Sequence, residues 1–409
     1  MSSPDPDNER RILFTSPFCL LDTTSGAAIS MHELLLHLVL KGFTCEAVTA
    51  SIFDSNHQVL LDQVMDRHGL SHITQQEMIK GIPFIQTSYN GVTHTILQTH
   101  LSQRQTLNSQ EEEALLSLVE KKIEEFKPDL LLTFGGLSAE KKIHGLGHRN
   151  RIPIVFYLVN GLYKKAETFS EVDLILVPSK FLSEFYSRHL GLRSQVLHDI
   201  VRKDRYFAAH RNPRFITYIN PVPQKGLTLF ARLVAEALKQ LPTAEFLVVE
   251  GRWNQAEVAR TGLKLDRIPN IRVMPNQTDM KPVYAETKIL LFPSFWDEAS
   301  GRSIIEAQLN GIPILASQRG GIPENLNGGG FLFDIPERCA KSHIAVPTPE
   351  EVQPWIDQLR LLLEDRKAYE EAQRRAFQAA RDFKPENIVQ RAIELFQELL
   401  KRKGLGVRA

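Results

Sequence analysis

Cysteine is scarce in this chain of 409 residues: Cys19, Cys45 and Cys339 are the only three. They are far apart, odd in number and form no Cys-x-x-Cys, which argues against a disulfide framework or a cysteine zinc site. Long apolar runs are missing too, and none approaches the roughly 18 residues of a membrane-spanning helix. Net charge is nearly absent, with 49 Lys and Arg against 48 Asp and Glu. That excludes an overwhelmingly basic nucleic-acid binder and leaves room only for a local basic patch. Residues 1–10 are polar and carry Asp5, Asp7 and Glu9, the opposite of a secretory signal, and read as a disordered leader. The expectation is a cytoplasmic protein with no nucleic-acid partner and no indicated membrane contact.

Apolar residues make up 43% of the chain and charged ones 24%, ordinary values for a globular protein with a sizeable core. The length suits two domains. The run 11–15 predicts a strand, 29–40 a helix closed by Gly42, and 44–49 a second strand, the opening of a parallel α/β sheet. Residues 51–80 carry no readable pattern. Residues 83–98 predict a hairpin around Tyr89-Asn90-Gly91-Val92. A helix over 109–126 follows, then strands and helices alternate to about residue 200. The segment 202–214 is basic and strand-free, and 204–213 is read as the interdomain linker. The alternation restarts at 214, and helices over 349–364, 366–381 and 386–403 close the chain. The expected architecture is two doubly wound α/β domains, 11–203 and 214–385, with a tail over 386–409. Ligands of such sheets bind at the carboxyl ends of the strands.

Chemistry concentrates between Phe292 and Glu324. Glu298 and Glu306 flank the predicted start of a helix near Gly301–Ser303, whose free N–H groups can receive an anion. A carboxylate beside a vicinal diol accepts two hydrogen bonds at once. Diphosphate on the amides with carboxylates on sugar hydroxyls is what a nucleotide-sugar site needs. The paired Gly320 and Gly321 after the strand 312–316 allow close backbone approach.

The motifs Pro293-Ser294, Glu298, Glu306-Ala307, Gly311-Ile312-Pro313 and Gly320-Gly321-Ile322-Pro323-Glu324 fall in one order and spacing. They resemble the donor-site signature of retaining, GT-B-fold glycosyltransferases of the family 4 (group 1) class. Lys225-Gly226 resembles that family's lysine–glycine motif at the first helix of the C-terminal domain. The resemblance covers most of residues 11–404 and is thinnest over 51–110. It implies two Rossmann-like parallel sheets facing a cleft, acceptor bound by the first domain and donor by the second. The last helix is expected to return to the first domain.

It further implies transfer of a sugar from a nucleoside diphosphate donor to an acceptor hydroxyl, without a metal or other cofactor. The acceptor is a saccharide, a lipid-linked sugar or a small molecule. Glu306 would hold the ribose hydroxyls and Glu298 those of the sugar ring. Lys225, Gly226, the amides of Ser300, Gly301 and Arg302, and the Arg302 side chain would meet the diphosphate. Gly320 and Gly321 would admit the donor backbone. Gly26, in the small-residue stretch Ser25-Gly26-Ala27-Ala28, would lie near the donor phosphate. Val159 stands where the family has histidine, so either that contact to the transferred sugar is lost or Asn160 takes it over. The chain departs from the family again at Asn220, for an arginine, and at Ser300, for a phenylalanine. A GT-B subunit that binds a sugar nucleotide or a partner protein without turnover is an alternative reading. A glycoside phosphorylase is another.

Other groupings carry less. His144 and His148 stand four apart on a predicted helix and are expected to be a solvated pair rather than metal ligands. Ser16, Ser179 and Ser294 have no readable His/Asp partners. Trp296, close to Glu298, is expected in the core or at the cleft wall.

Overall fold

The structure is a computed structural model and describes residues 10–55, 58–70, 75–104, 107–135 and 138–405. The polar leader therefore lies outside the described residues, apart from Arg10. The chain forms two compact units, Met1–Pro178 with Ser183–Ile200 and Glu386–Ala409, and Val201–Pro385 with Ser179–Leu182. Among the described residues no helix is long and apolar enough to cross a membrane.

Among the described residues the first unit is built on a sheet of nine strands. They are β1 (Arg11–Phe18), β2 (Thr44–Ile52), β3 (Gln75–Ile79), β4 (Ile82–Tyr89) and β5 (Val92–Leu97), followed by β6 (Leu130–Thr133), β7 (Ile154–Tyr157), β8 (Leu174–Val177) and β9 (Gln195–Val196). Their order is β3-β4-β5-β2-β1-β6-β7-β8-β9. All neighbours run parallel except β3–β4 and β4–β5, so an antiparallel edge is grafted onto a parallel sheet. Two tight turns make that edge. Asn90 and Gly91 both have positive φ, as do Lys80 and Gly81, the requirement of two-residue hairpin loops with a type I′ backbone. The Asn-Gly turn is legible in the sequence; strand β3 is not.

Helix Ser109–Phe126 spans the residues its pattern predicts, because Asn108 and Glu111 form a reciprocal capping box at its start. Strands buried on both faces read as near-continuous apolar runs, as in Leu130-Leu131-Leu132. The helix Pro385–Arg402 puts Val389, Ala392, Phe396 and Leu399 into this unit's core, beside Leu13, Leu35 and Leu118.

The second unit has six parallel strands, β10 (Phe215–Ile219), β11 (Phe246–Val249), β12 (Ile271–Met274), β13 (Thr287–Phe292), β14 (Ile314–Ser317) and β15 (Phe331–Phe333). Their order is β12-β11-β10-β13-β14-β15. The winding reverses between β10 and β13, so their carboxyl ends frame a crevice of the kind that binds ligands in open α/β sheets.

Residues 204–213 are more than a connector. Lys203–Tyr206 forms a helical turn, and Tyr206 is buried with Ile304, Ile305 and Tyr284. Arg211 donates to the carbonyls of Asn310 at 2.5 Å and Thr287 at 2.6 Å. The basic run is thus fastened to the second unit by hydrogen bonds that no periodicity announces.

Candidate functional site

At the carboxyl end of β10 the chain turns through Asn220, held at φ +63, and a 3₁₀ turn Pro223–Lys225 before helix Leu227–Gln240. Gly226 joins the two with φ +83. A Cβ there would stand 1.9 Å from the Pro293 carbonyl oxygen, so only glycine lets this turn lie against the end of β13. The Gln224 carbonyl accepts the N–H groups of Phe295 and Trp296 at 2.9 and 3.1 Å. The two strand ends at the switch point are therefore laced together through the backbone.

This lacing sets Lys225 against Glu298. Lys225 Nζ donates to Glu298 Oε1 at 2.6 Å, and Ser294 Oγ donates to the same oxygen at 2.6 Å. Glu298 is buried, while the Lys225 side chain keeps about a quarter of its surface exposed. Lys225 Nζ also lies 5.4 Å from the centre of the Phe292 ring. A carboxylate has about four acceptor sites and an ammonium three donors, so the pair retains capacity for a further polar group.

Gly320 and Gly321 approach protein rather than open space. A Cβ on Gly320 would lie 2.4 Å from the Glu298 carbonyl oxygen, and Gly321 N–H donates to that oxygen at 2.7 Å. The glycine pair thus pins the backbone that carries Glu298. The loop's own packing therefore requires glycine at Gly320. Glu324, the last residue of the motif, accepts the N–H groups of Lys180 at 2.8 Å and Phe181 at 3.4 Å, both in the segment that clusters with this unit.

Helix Arg302–Leu309 follows, with Gly301 as its N-cap. Glu306 is buried one turn inside, and Tyr284 Oη donates to its Oε2 at 2.6 Å. Its other oxygen lies 3.5 Å from Arg302 Nε. The Arg302 guanidinium, only 9% exposed, packs over the Tyr206 ring and donates to the Tyr206 hydroxyl at 3.3 Å. It is occupied with Glu306 and Tyr206 instead of facing outward from the helix start. Ser300 is buried, and its hydroxyl accepts from Asn325 Nδ2 at 2.7 Å. Burial and the neighbouring Glu306 push the Tyr284 phenol well above its usual range, which keeps it a donor. Tyr284 and Tyr206 carry no signal in the sequence, since a buried aromatic looks like any other core residue.

Asn220, where the family's arginine is expected, serves the local backbone, and its Oδ1 accepts the Arg252 N–H at 3.0 Å. Trp296 is half-buried and meets His343 edge-on at 6.1 Å.

Gly26 and Asn160 belong to the first unit. Gly26 opens helix Gly26–Leu40 behind the N-cap Ser25, so the expected small-residue loop is a helical turn. A Cβ on Gly26 would meet nothing within 4 Å, and nothing in the fold requires glycine there. Asn160 Oδ1 accepts the Leu162 N–H at 3.0 Å, and the Asn160 carbonyl accepts the Tyr186 hydroxyl at 2.6 Å. His144 is buried against the edge of Phe156 and His148 is exposed, which corrects the expected solvated pair. Burial lowers the His144 pKa to about 4.

Residues 213–365 match the family described as glycosyl transferases group 1. The matched stretch lies within the second unit, which is therefore similar to a group 1 glycosyltransferase domain. D-inositol 3-phosphate glycosyltransferase of Corynebacterium kroppenstedtii is 29% identical to this chain over 121 residues, a match covering 27% of either protein. The chain therefore aligns with only about a quarter of that curated relative. Solved structures resemble it over nearly its whole length. A glycosyltransferase from Rickettsia africae superposes with a TM-score of 0.68 at 16% identity, covering 96% of this chain and 99% of that one. Anabaena HepE, solved in complex with UDP-glucose, gives 0.64 at 16% identity, covering 95% and 99%. At such identity the likeness establishes the fold, which is GT-B. Within the matched residues, Lys225 pairs with Glu298 beyond β10 and β13, and Glu306 follows one turn inside helix Arg302–Leu309.

Proposed function

We propose that the protein is a retaining glycosyltransferase that moves a sugar from a nucleoside diphosphate donor to an acceptor hydroxyl, with no metal ion required. The observation that carries this reading is the placement of a cation–carboxylate pair and a second buried carboxylate around one helix start at a topological switch point.

The helix N–H groups and Lys225 meet the diphosphate, whose charge grows as the anomeric carbon–oxygen bond breaks. The acceptor oxygen bonds to the anomeric carbon on the same face, and its proton passes to the departing diphosphate. Glu298, fixed by Lys225 and Ser294, accepts from sugar hydroxyls, and Glu306 accepts from the ribose diol. Arg302 holds Glu306 in place instead of touching the phosphates. The likeness to HepE, itself solved with UDP-glucose, supports a sugar nucleotide as donor.

The test is a panel of UDP-, GDP- and ADP-sugars read by thermal shift, donor hydrolysis and titration calorimetry. Glu306→Ala removes two charge-assisted hydrogen bonds to ribose and should weaken nucleotide and nucleotide-sugar alike, by ~10- to 100-fold. Unchanged affinity would sink the assignment.

A further inference from the structure

Tyr284 lies in the short helix Lys281–Glu286, outside every motif the sequence offers. Its side chain is fully buried beside Leu290, Ile304 and Ile305, where a phenylalanine would pack as well. The hydroxyl donates to Glu306 Oε2 at 2.6 Å. Arg302 stands at the other carboxylate oxygen and is itself held by Tyr206. Tyr284 thus gives Glu306 a hydrogen bond on one oxygen, while the other oxygen faces the Arg302 cation without a hydrogen bond from its Nε. A donor fixed on one oxygen orients the carboxylate, and recognition of a vicinal diol depends on that orientation.

We propose that Tyr284 is a positioning residue that sets the Glu306 carboxylate for reading the ribose hydroxyls of the donor nucleotide. This rests on the reading in which Glu306 holds the ribose. The hydroxyl bonds to Glu306, so its effect is expected on ribose recognition.

Tyr284→Phe removes one oxygen and keeps the ring. Calorimetry on the unmutated protein and the variant would compare the nucleoside diphosphate preferred in the donor panel with its 2′-deoxy analogue. The unmutated protein should prefer the ribonucleotide. Tyr284→Phe should cut that preference about tenfold, leave the deoxy analogue's affinity within about twofold, and raise KM for the sugar nucleotide while kcat stays near its original value. Full ribose preference in a folded Tyr284→Phe protein overturns the positioning role and leaves the function standing. No ribose preference in the unmutated protein overturns both. Should Tyr284→Phe fail to fold, the double variant Tyr284→Phe/Glu306→Gln removes the buried charge together with its donor. It should match Glu306→Gln alone in ribose preference; a further loss would mean that the hydroxyl acts elsewhere and overturns the proposal.

Discussion

The histidine stack of the first unit and the two carboxylates of the second bury polarity in opposite ways. The rings of His32 and His94 lie 5.6 Å apart, and His32 stacks in turn on Tyr89 at 5.0 Å. Neither ring nitrogen of His94 has a hydrogen-bond partner. Burial and the neighbouring His32 and His68 hold its pKa well below the usual 6.5, so it packs by staying neutral. Glu298 and Glu306 instead each meet a cation and a hydroxyl, Lys225 with Ser294 and Arg302 with Tyr284. Apolar residues of the same volume would often stabilise a fold as well as a buried ion pair does. The pairs are therefore poorly explained by packing, whereas the histidines need no further explanation.

The strongest way to break the second arrangement is Gly226→Ala. The added Cβ would collide with the Pro293 carbonyl at 1.9 Å in a backbone conformation that L-residues avoid. Unfolding should become easier by at least ~3 kcal/mol, read by chemical denaturation, and nucleotide binding should vanish. Lys225→Met comes next. It leaves Glu298 buried with only the Ser294 hydroxyl, at a cost of about 2–3 kcal/mol, less than for a fully buried pair because Lys225 is partly exposed. Adding Glu298→Gln should restore part of that loss. A double variant no better than Lys225→Met alone would show that the two side chains do not act as a pair.

Acid sharpens the contrast from the other side. Below about pH 6.5 the unfolded chain protonates its histidines, while folded His94 and His144 stay neutral until lower pH. Their stabilisation is complete above that pH and is lost as pH falls through it. Each neutral histidine should cost about 1.4 kcal/mol at pH 5.5 relative to pH 7.5. Hydrogen exchange of β5 and β7 would report it, and His94→Leu should flatten the dependence by one such share. The smallest effect is expected for Asn160→Ala, which removes a local turn bond and should cost ~0.5–1 kcal/mol. Donor affinity measured on the same protein separates that turn role from a role in binding sugar.

The alternation of short apolar strands with amphipathic helices was enough to read the doubly wound architecture, because each element announces itself within a dozen residues. Helix 109–126 and the Asn90-Gly91 hairpin are cases where capping and turn chemistry are local. Strand β3 escaped because it pairs only at an edge and its Lys80-Gly81 turn has a weak signature. The candidate site divides in the same way. Lys225, Glu298 and Glu306 stand in motifs, whereas Tyr206, Arg211 and Tyr284 act over long separations on partners no local pattern reveals. The motif glycines drew notice for a close approach, yet the neighbour approached by Gly320 is the Glu298 backbone.

The first unit takes its final helix from residues Pro385–Arg402, after the whole second unit has intervened in the chain. On the ribosome its core stays open while the stretch Val201–Pro385 is made, on the order of 10–40 s at bacterial or eukaryotic elongation rates. The apolar surface awaiting Val389, Phe396 and Leu399 is exposed throughout that interval. The second unit can fold as it emerges; the first must wait for a helix made after it.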